Sequence, residues 1–498
     1  MCTWAGKAGS KGDGLMKRWN GVAAVVAASA FVSICLLTAR PAAQIPGERP
    51  KLTQHINQAD IEAGRYSLAD LFFAGKFLFE TSFNRLDGFG RPGATGDGNP
   101  TRRNPDQPFM TRVSGPEANS CAGCHNKPEV GGSGDFVANV FVLGQLADPV
   151  QMSIDPLFSN ERNTVGMHGS GAIEMLAREM TAELHRIRER TREEAIKSGR
   201  FVTHDLIAKG VYFGKITCSP SGDVDTSQVE GVDPDLIIKP FHQKGVVVSV
   251  RQFTVNAYNH HHGLQAVERF GVERTGTRDF DGDGVEDELS VGDITAATLF
   301  QVALGNPTRV MPSDLASRAR VQRGERLFEE IGCARCHIPA LILDNPIYSE
   351  PNPYNPPGNL RPEDVSRPFT FDLTRDGPGP HLERTKDGRA IVRAYTDLKR
   401  HKIADDEDPF FNNERLIQGG VATDVFITRK LWDVGNSEPY GHRGDLSTIG
   451  EAIMHHAGEA RPERNRFMAL SPQDQTAIVD FLKTLQVVPS PRTSLFFR

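Results

Sequence analysis

Apolar positions recur at helical spacing in three stretches of the chain. Residues 68–83, LADLFFAGKFLFETSF, read as an amphipathic helix carrying Gly75 and the pair Leu78-Phe79. In VQRGERLFEEIG, Val321, Leu327, Phe328 and Ile331 line one stripe while arginines and glutamates take the other. Residues 470–486, LSPQDQTAIVDFLKTLQ, begin with a Ser-Pro cap and then align Ile478, Val479, Phe481, Leu482 and Leu485. Elsewhere the 48 glycines and 32 prolines predict many loops between short helices. The longest such loops are expected over 86–117 and 345–380.

A fourth apolar stretch differs in kind. Gly21 to Leu37 is almost wholly apolar, follows Met16-Lys-Arg-Trp and precedes the small-residue segment TARPAAQ. A basic start, an apolar middle and a small-residue end make a secretory leader, expected to occupy residues 1–43. The apolar run, about 17 residues, is also at the lower limit for spanning a bilayer. A retained anchor is therefore the alternative, and membrane contact is expected only if the leader is kept. The expected location is periplasmic or otherwise exported. Net charge is −6. Lys7, Lys11, Lys17, Arg18 and Arg40 lie in the leader against Asp13 alone, so the remainder is more acidic still. An acidic chain argues against a nucleic-acid partner.

The seven cysteines sort unevenly. Cys2 and Cys35 fall in the leader, and Cys218 stands alone. The other four form Cys121-Ala-Gly-Cys124-His125 and Cys333-Ala-Arg-Cys336-His337. Two cysteines three apart on a helical turn reach the two vinyl groups of a haem, and the adjacent histidine ligates its iron. The repeated motif therefore predicts two covalently bound c-type haems, held by Cys121, Cys124 and His125 and by Cys333, Cys336 and His337. A redox Cys-x-x-Cys lacks a thioredoxin-like context here. A zinc site built from four thiolates would have to bring two distant segments together. The expected fold class is mainly α: two cytochrome c-like domains with long loops and insertions, over 44–310 and 311–498.

What decides between a carrier and an enzyme is the far side of each iron. After the second motif, Ser447-Thr-Ile-Gly-Glu451 reads as a capping box opening a helix, with His456 one turn beyond Glu451 and His455 as its rival. After the first, Arg251 is expected to pair with a haem propionate through its fork. One of His260, His261 and His262 is placed to enter a haem pocket. In RDFDGDGVEDELS, Asp279, Asp281, Asp283 and Asp287 alternate around Gly284 like the opening of a calcium loop, although position twelve is Ser290 rather than Glu.

Several segments together resemble one family. They are ANSCAGCHNKPEVGGSG, RGERLFEEIGCARCH, PYGHRG followed by TIGEAI, and LSPQDQTAIVDFLKTL. From about Leu68 to Val487 the chain resembles the di-haem cytochrome c peroxidases and related di-haem oxidoreductases. The resemblance implies that the residue five after the Glu of the EAI helix binds the second, electron-transferring iron; here that residue is His456. It implies acidic and amide groups over a peroxide-binding first iron, a role for which Glu174 stands first and His168 second, although the family's usual spacing is not kept. It implies calcium in many members. The implied reaction is reduction of hydrogen peroxide with electrons from a small cytochrome c or cupredoxin. A di-haem electron carrier, and a di-haem oxygenase or oxidase acting on an organic or protein substrate, are the alternatives.

Overall fold

A computed structural model describes residues 48–90, 118–141, 159–414 and 417–489. The chain divides into Met1–Arg49 and Pro50–Arg498, and both Cys-x-x-Cys-His motifs fall in the second unit. The expected leader lies outside the described residues.

Two helix crossings organise the second unit, one near each Cys-x-x-Cys-His turn. The helix Leu68–Glu80 opens with a capping box between Ser67 and Asp70 and packs on the helix Val291–Val302, opened by a capping box between Ser290 and Asp293. They meet at Gly75, where a Cβ would run into the Ala296 carbonyl. One turn later Phe79 packs on Phe300, ring centroids 5.1 Å apart. The helix Leu315–Glu330, capped by Asp314, crosses Pro472–Lys483, capped by Ser471. There the close approach is at Gly324, facing the Ala477 carbonyl, and Phe328 packs on Phe481 at 5.5 Å. In both crossings a glycine and a phenylalanine one turn apart share a face. The glycine lets the backbones touch, and the phenylalanine brings the larger apolar surface. Burying each such ring contributes about 1.5–3 kcal/mol.

The two crossings head two separate hydrophobic clusters. One gathers Leu71, Phe72, Phe79, Leu299 and Phe300 with residues from 167 to 432. The other gathers Val321, Phe328, Tyr395, Phe426, Ile478 and Phe481.

The expectation of a mainly α chain is corrected. About 36% of the described residues are helical and 15% are strand, arranged in several small sheets. The largest departure follows the helix Ser170–Ser198. Its first half is buried, and its second half lies on an antiparallel sheet of Val202–Ala208, Val211–Cys218 and Val224–Asp225. The signal was present in VTHDLIAKGVYFGKITC: near-alternating polarity on either side of Lys209-Gly210. Both turn residues have positive φ, 49° and 83°, which suits the tight turn of a hairpin. Among the described residues the other strands form a second three-stranded sheet, of Glu383–Arg384, Ala390–Val392 and Leu341–Leu343, and four two-stranded pairs. Among the described residues no helix is long and apolar enough to cross a membrane.

Candidate functional site

Each Cys-x-x-Cys-His segment folds as a single tight turn. Ser120 caps the first by accepting a hydrogen bond from the Gly123 N–H at 3.1 Å. The His125 N–H then donates to the Cys121 carbonyl at 2.9 Å. The second turn starts from Gly332, φ 94°, and the His337 N–H donates to the Cys333 carbonyl at 3.0 Å. Neither pair forms a disulfide. Burial pushes the Cys121 thiol up to about 12 and the Cys333 thiol up to about 11, the reverse of what a reactive redox thiolate needs. The four cysteines do not converge. Among the described residues, the clusters of three or more metal-binding side chains are Cys336–Asp397–His401 and Asp279–Asp281–Asp283.

The two motif histidines are oriented alike. His125 Nδ1 bonds the Gly132 carbonyl and His337 Nδ1 bonds the Tyr395 carbonyl, both at 3.1 Å. Such a bond fixes the tautomer and leaves Nε2 available to a metal. Burial pushes both imidazoles down to about 4, so they are neutral near pH 7, as ligands must be. Each ring also meets the phenylalanine of its helix crossing, Phe79 at 6.0 Å and Phe328 at 6.3 Å.

Around the second turn the far side is occupied by His456. Its helix, Ile449–Met454, opens with a capping box between Thr448 and Glu451, where the sequence placed one. His456 Nδ1 bonds the Ala452 carbonyl at 2.7 Å, and its ring centroid lies 6.5 Å from that of His337. Two imidazoles on opposite sides of one metal, each bonded through Nε2 at about 2 Å, would hold their ring centres about 6 Å apart. The pair thus fits a single iron between them. His455 does something else: it stacks on Phe410 at 3.9 Å. A cavity of about 340 Å³ is lined by Cys333, Cys336, His337 and His456, with Ile449, Phe467, Ile478 and Leu482 among its apolar walls. Arg429, Lys430 and Arg464 also line it; Lys430 Nζ donates to the Gly166 and His168 carbonyls, Arg429 pairs with Asp433 and Arg464 with Asp408. His401, held between Asp397 at 2.9 Å and Glu459 at 2.7 Å, stands beside Cys336. Burial alone would lower its pKa, but Asp397, Cys336 and Glu459 outweigh it and raise it to about 11. Sequence reasoning did not single out Arg429, Lys430 or this use of His401. The "TRK" of residues 428–430 was the available signal.

Around the first turn the neighbours are histidines from a π-helical segment, Tyr258–His262, a form common at functional sites. His262 Nε2 lies 3.5 Å from Cys121 Sγ, and His262 Nδ1 bonds the Ala118 carbonyl. His261 lies close enough to His125 to hold its pKa down further, after burial.

The residues proposed for catalysis sit apart from one another. Glu174 is fully buried and bonds the Arg178 guanidinium, the Val250 N–H at 2.8 Å and Asn352 Nδ2 at 2.9 Å. It is one node of a buried ion-pair network. Arg251 belongs to the same network. Its fork, expected on a propionate, is taken by Glu268 at 2.6 Å and Glu350 at 3.1 Å, with Thr295 at 2.9 Å. Charges this deep are paired rather than offered to a ligand. His168 is buried as well: Nδ1 bonds the Gly305 carbonyl at 3.0 Å, and Nε2 is 3.7 Å from Glu129. It lines a second cavity of about 200 Å³ with Lys76 and Asn306. In the acidic loop, carboxylate oxygens of Asp279, Asp281 and Asp283 converge. Asp279 also accepts the Gly282 and Gly284 N–H groups at 2.8 and 3.0 Å. Asp287 turns away to Arg278, so the structure separates it from the other three.

No family model matches the chain, and no curated protein sequence matches it. Among solved structures, a chain of Kuenenia stuttgartiensis hydrazine synthase pressurized with xenon aligns at 12% identity, covering 89% of this chain and 97% of that one, with a TM-score of 0.35. A likeness that loose carries no argument about this chain.

Proposed function

We propose that the chain is an exported di-haem c-type oxidoreductase that reduces hydrogen peroxide with electrons from a small redox protein. The observation that carries this reading is the repeated turn. Each places two thiols and a neutral, Nε2-directed histidine on one face, backed by a phenylalanine from a glycine-pinned helix crossing. His125 and His337 would ligate the irons, and Cys121, Cys124, Cys333 and Cys336 would be the attachment points. His456 would be a further ligand to the second iron. That arrangement suits electron entry, because an iron held on both faces does not bind substrate. The first site is then the place of reaction.

Bound haem iron supplies electrons and, where one face is left unligated, a position for peroxide. The protein supplies the rest. Apolar walls exclude water from the second site, and Nδ1 bonds to backbone carbonyls hold the ligating rings in place. Protons come from groups able to exchange them, and His168, facing its own cavity beside Glu129, suits that work better than the fully paired Glu174. Asp279, Asp281 and Asp283 make a calcium loop of structural purpose. The two sites belong to domains over 44–310 and 311–498.

The histidine segment Tyr258–His262 favours a second reading, since His262 Nε2 stands 3.5 Å from Cys121 Sγ. A histidine from this segment would be a ligand for the far side of the first iron, and two doubly ligated irons would make an electron carrier.

Electron paramagnetic resonance of the haem-loaded protein, fully oxidised and half-reduced, before and after peroxide, separates the two. A high-spin signal that peroxide consumes is the expected result. Two low-spin signals, unchanged by half-reduction and by peroxide, overturn the peroxidase reading in favour of the carrier.

A further inference from the structure

Each motif histidine is mounted on backbone, and the two mounts meet. His125 is held by the Gly132 carbonyl, and the neighbouring Gly131 carbonyl accepts the Met167 N–H at 2.8 Å. His337 is held by the Tyr395 carbonyl, and the neighbouring Ala394 carbonyl accepts the Leu431 N–H at 2.9 Å. Residues 165–169 are thus fastened to the first turn and residues 429–433 to the second. Their carbonyls also act on the rings. Burial lowers both imidazole pKa values, and the Val165 carbonyl opposes this at His125 as the Arg429 carbonyl does at His337.

The two segments lie against each other. At Gly166 a Cβ would come up against Asp433 Oδ2, and at Gly169 it would run into the Trp432 ring. Residues without a side chain let the backbones come this close. Lys430 runs between them. It follows Arg429 directly, and its Nζ donates to the Gly166 carbonyl at 3.0 Å and to the His168 carbonyl at 3.1 Å. One side chain therefore joins the segment fastened beside His337 to the segment fastened beside His125.

The link carries a charge. Two carbonyls solvate the ammonium but do not neutralise it. Asp433, whose charge acts on it, is paired with Arg429 at 3.2 Å. The Trp432 ring, 5.8 Å away, attracts a cation but has no net charge. Arg429, Lys430 and Asp433 together leave one positive charge. Burial pushes the Lys430 pKa down to about 8, and the group keeps its proton at pH 7. A cation in a poorly hydrated interior is weakly screened, so it makes a nearby site a better electron acceptor.

We propose that Lys430 is a positioning residue shared by the two haem sites, clamping the mounts of His125 and His337 together and lending both irons one buried positive charge. Resting on the di-haem reading, this gives the pair of sites a common control on potential that does not depend on peroxide.

Redox titration of the haem-loaded protein, followed by visible absorption and electron paramagnetic resonance, tests it without turnover. The wild-type protein should show two haem waves. K430M removes the charge and both hydrogen bonds. It should lower both midpoints, each by about tenfold in the reduction equilibrium, about 59 mV. K430R keeps the charge and should hold both midpoints within about threefold of wild type. K430Q keeps a donor without the charge, should lower both midpoints as K430M does, and serves if K430M does not fold. Circular dichroism shows which variants are folded. Fewer than two waves in the wild-type protein would overturn the di-haem reading and this role with it. Two wild-type waves that stay in place in folded K430M or K430Q, a fall in one midpoint alone, or a K430R that falls as far as K430M would overturn the role of Lys430 and leave the di-haem reading standing.

Discussion

The two Cys-x-x-Cys-His turns are built to one plan but assembled differently. In the second, the opening helix Leu315–Glu330 runs almost directly into the motif, and its crossing partner Pro472–Lys483 is the last helix of the described residues. In the first, the helix Leu68–Glu80 lies well before Cys121 in the sequence. Its crossing partner Val291–Val302 follows only after the long helix, the small sheet and the histidine segment. The shared parts are the glycine, the phenylalanine and the Nδ1-anchored histidine. The parts that differ are those that place a group on the opposite side. The second turn has one defined opposing ring, His456, whereas the first faces a cluster of histidines. A compact arrangement suits a fixed ligand set, and an elaborated one leaves room for chemistry.

The largest test removes the attachment points. C333S/C336S should lose the second haem and keep the first, and C121S/C124S the reverse, each halving the covalent haem seen by pyridine haemochrome and intact mass. Retention of both haems in either variant would break the equivalence of the two turns.

Next comes Glu174, which distinguishes buried framework from reaction site. Glu174→Ala leaves the Arg178 guanidinium buried without its carboxylate, and breaking such a pair costs about 3–5 kcal/mol. The expected outcome is a large fall in thermal stability with both haems still attached. Loss of peroxide turnover at unchanged stability would instead return Glu174 to a catalytic role.

A third test uses acid. Burial pushes His168 down to about 4 and His442 down to about 3, whereas an unfolded imidazole titrates near 6.5. As pH falls the unfolded chain takes up these protons first. Stability is therefore full above about pH 6.5 and declines through the window down to the folded values, by a few kcal/mol for each ring. Denaturant unfolding at pH 8 and pH 5 should show the decline. His168→Gln should lessen it for the first half and His442→Gln for the second, and a pH-independent midpoint in the wild-type protein would contradict the burial of both rings.

Much of the second half was legible because its signals are local. The stripe from Val321 to Ile331, the cap at Thr448–Glu451 and the stripe from Ile478 to Leu485 all lie near the motif they serve. In the first half, Val291–Val302 is buried along almost its whole length, so it lacks the polar face that marks an amphipathic helix. Its pairing with Leu68–Glu80 is a long-range contact that periodicity does not announce. Arg251 and Glu174 were assigned from residue type. Their true partners, Glu268, Glu350 and Arg178, are set by tertiary packing.

The smallest expected effect is also the most direct measure of the shared plan. Gly75 and Gly324 each sit where a Cβ would meet the carbonyl of a crossing helix, Ala296 or Ala477. Backbone cannot yield as a flexible side chain does, so the helices must part. Overpacking of this kind costs about 1–3 kcal/mol, partly offset because alanine favours a helix over glycine by about 1 kcal/mol. G75A and G324A should therefore both lower thermal stability, and by similar amounts, since both crossings have the same geometry. The local consequence should differ. G324A moves Phe328 beside His337 and should disturb the low-spin signal of the second iron, leaving the first unchanged. G75A moves Phe79 beside His125 and should alter only the first. If either alanine leaves its own haem spectrum untouched while still destabilising the fold, the crossing supports the core but does not set the haem face, and the likeness of the two turns ends at the motif itself.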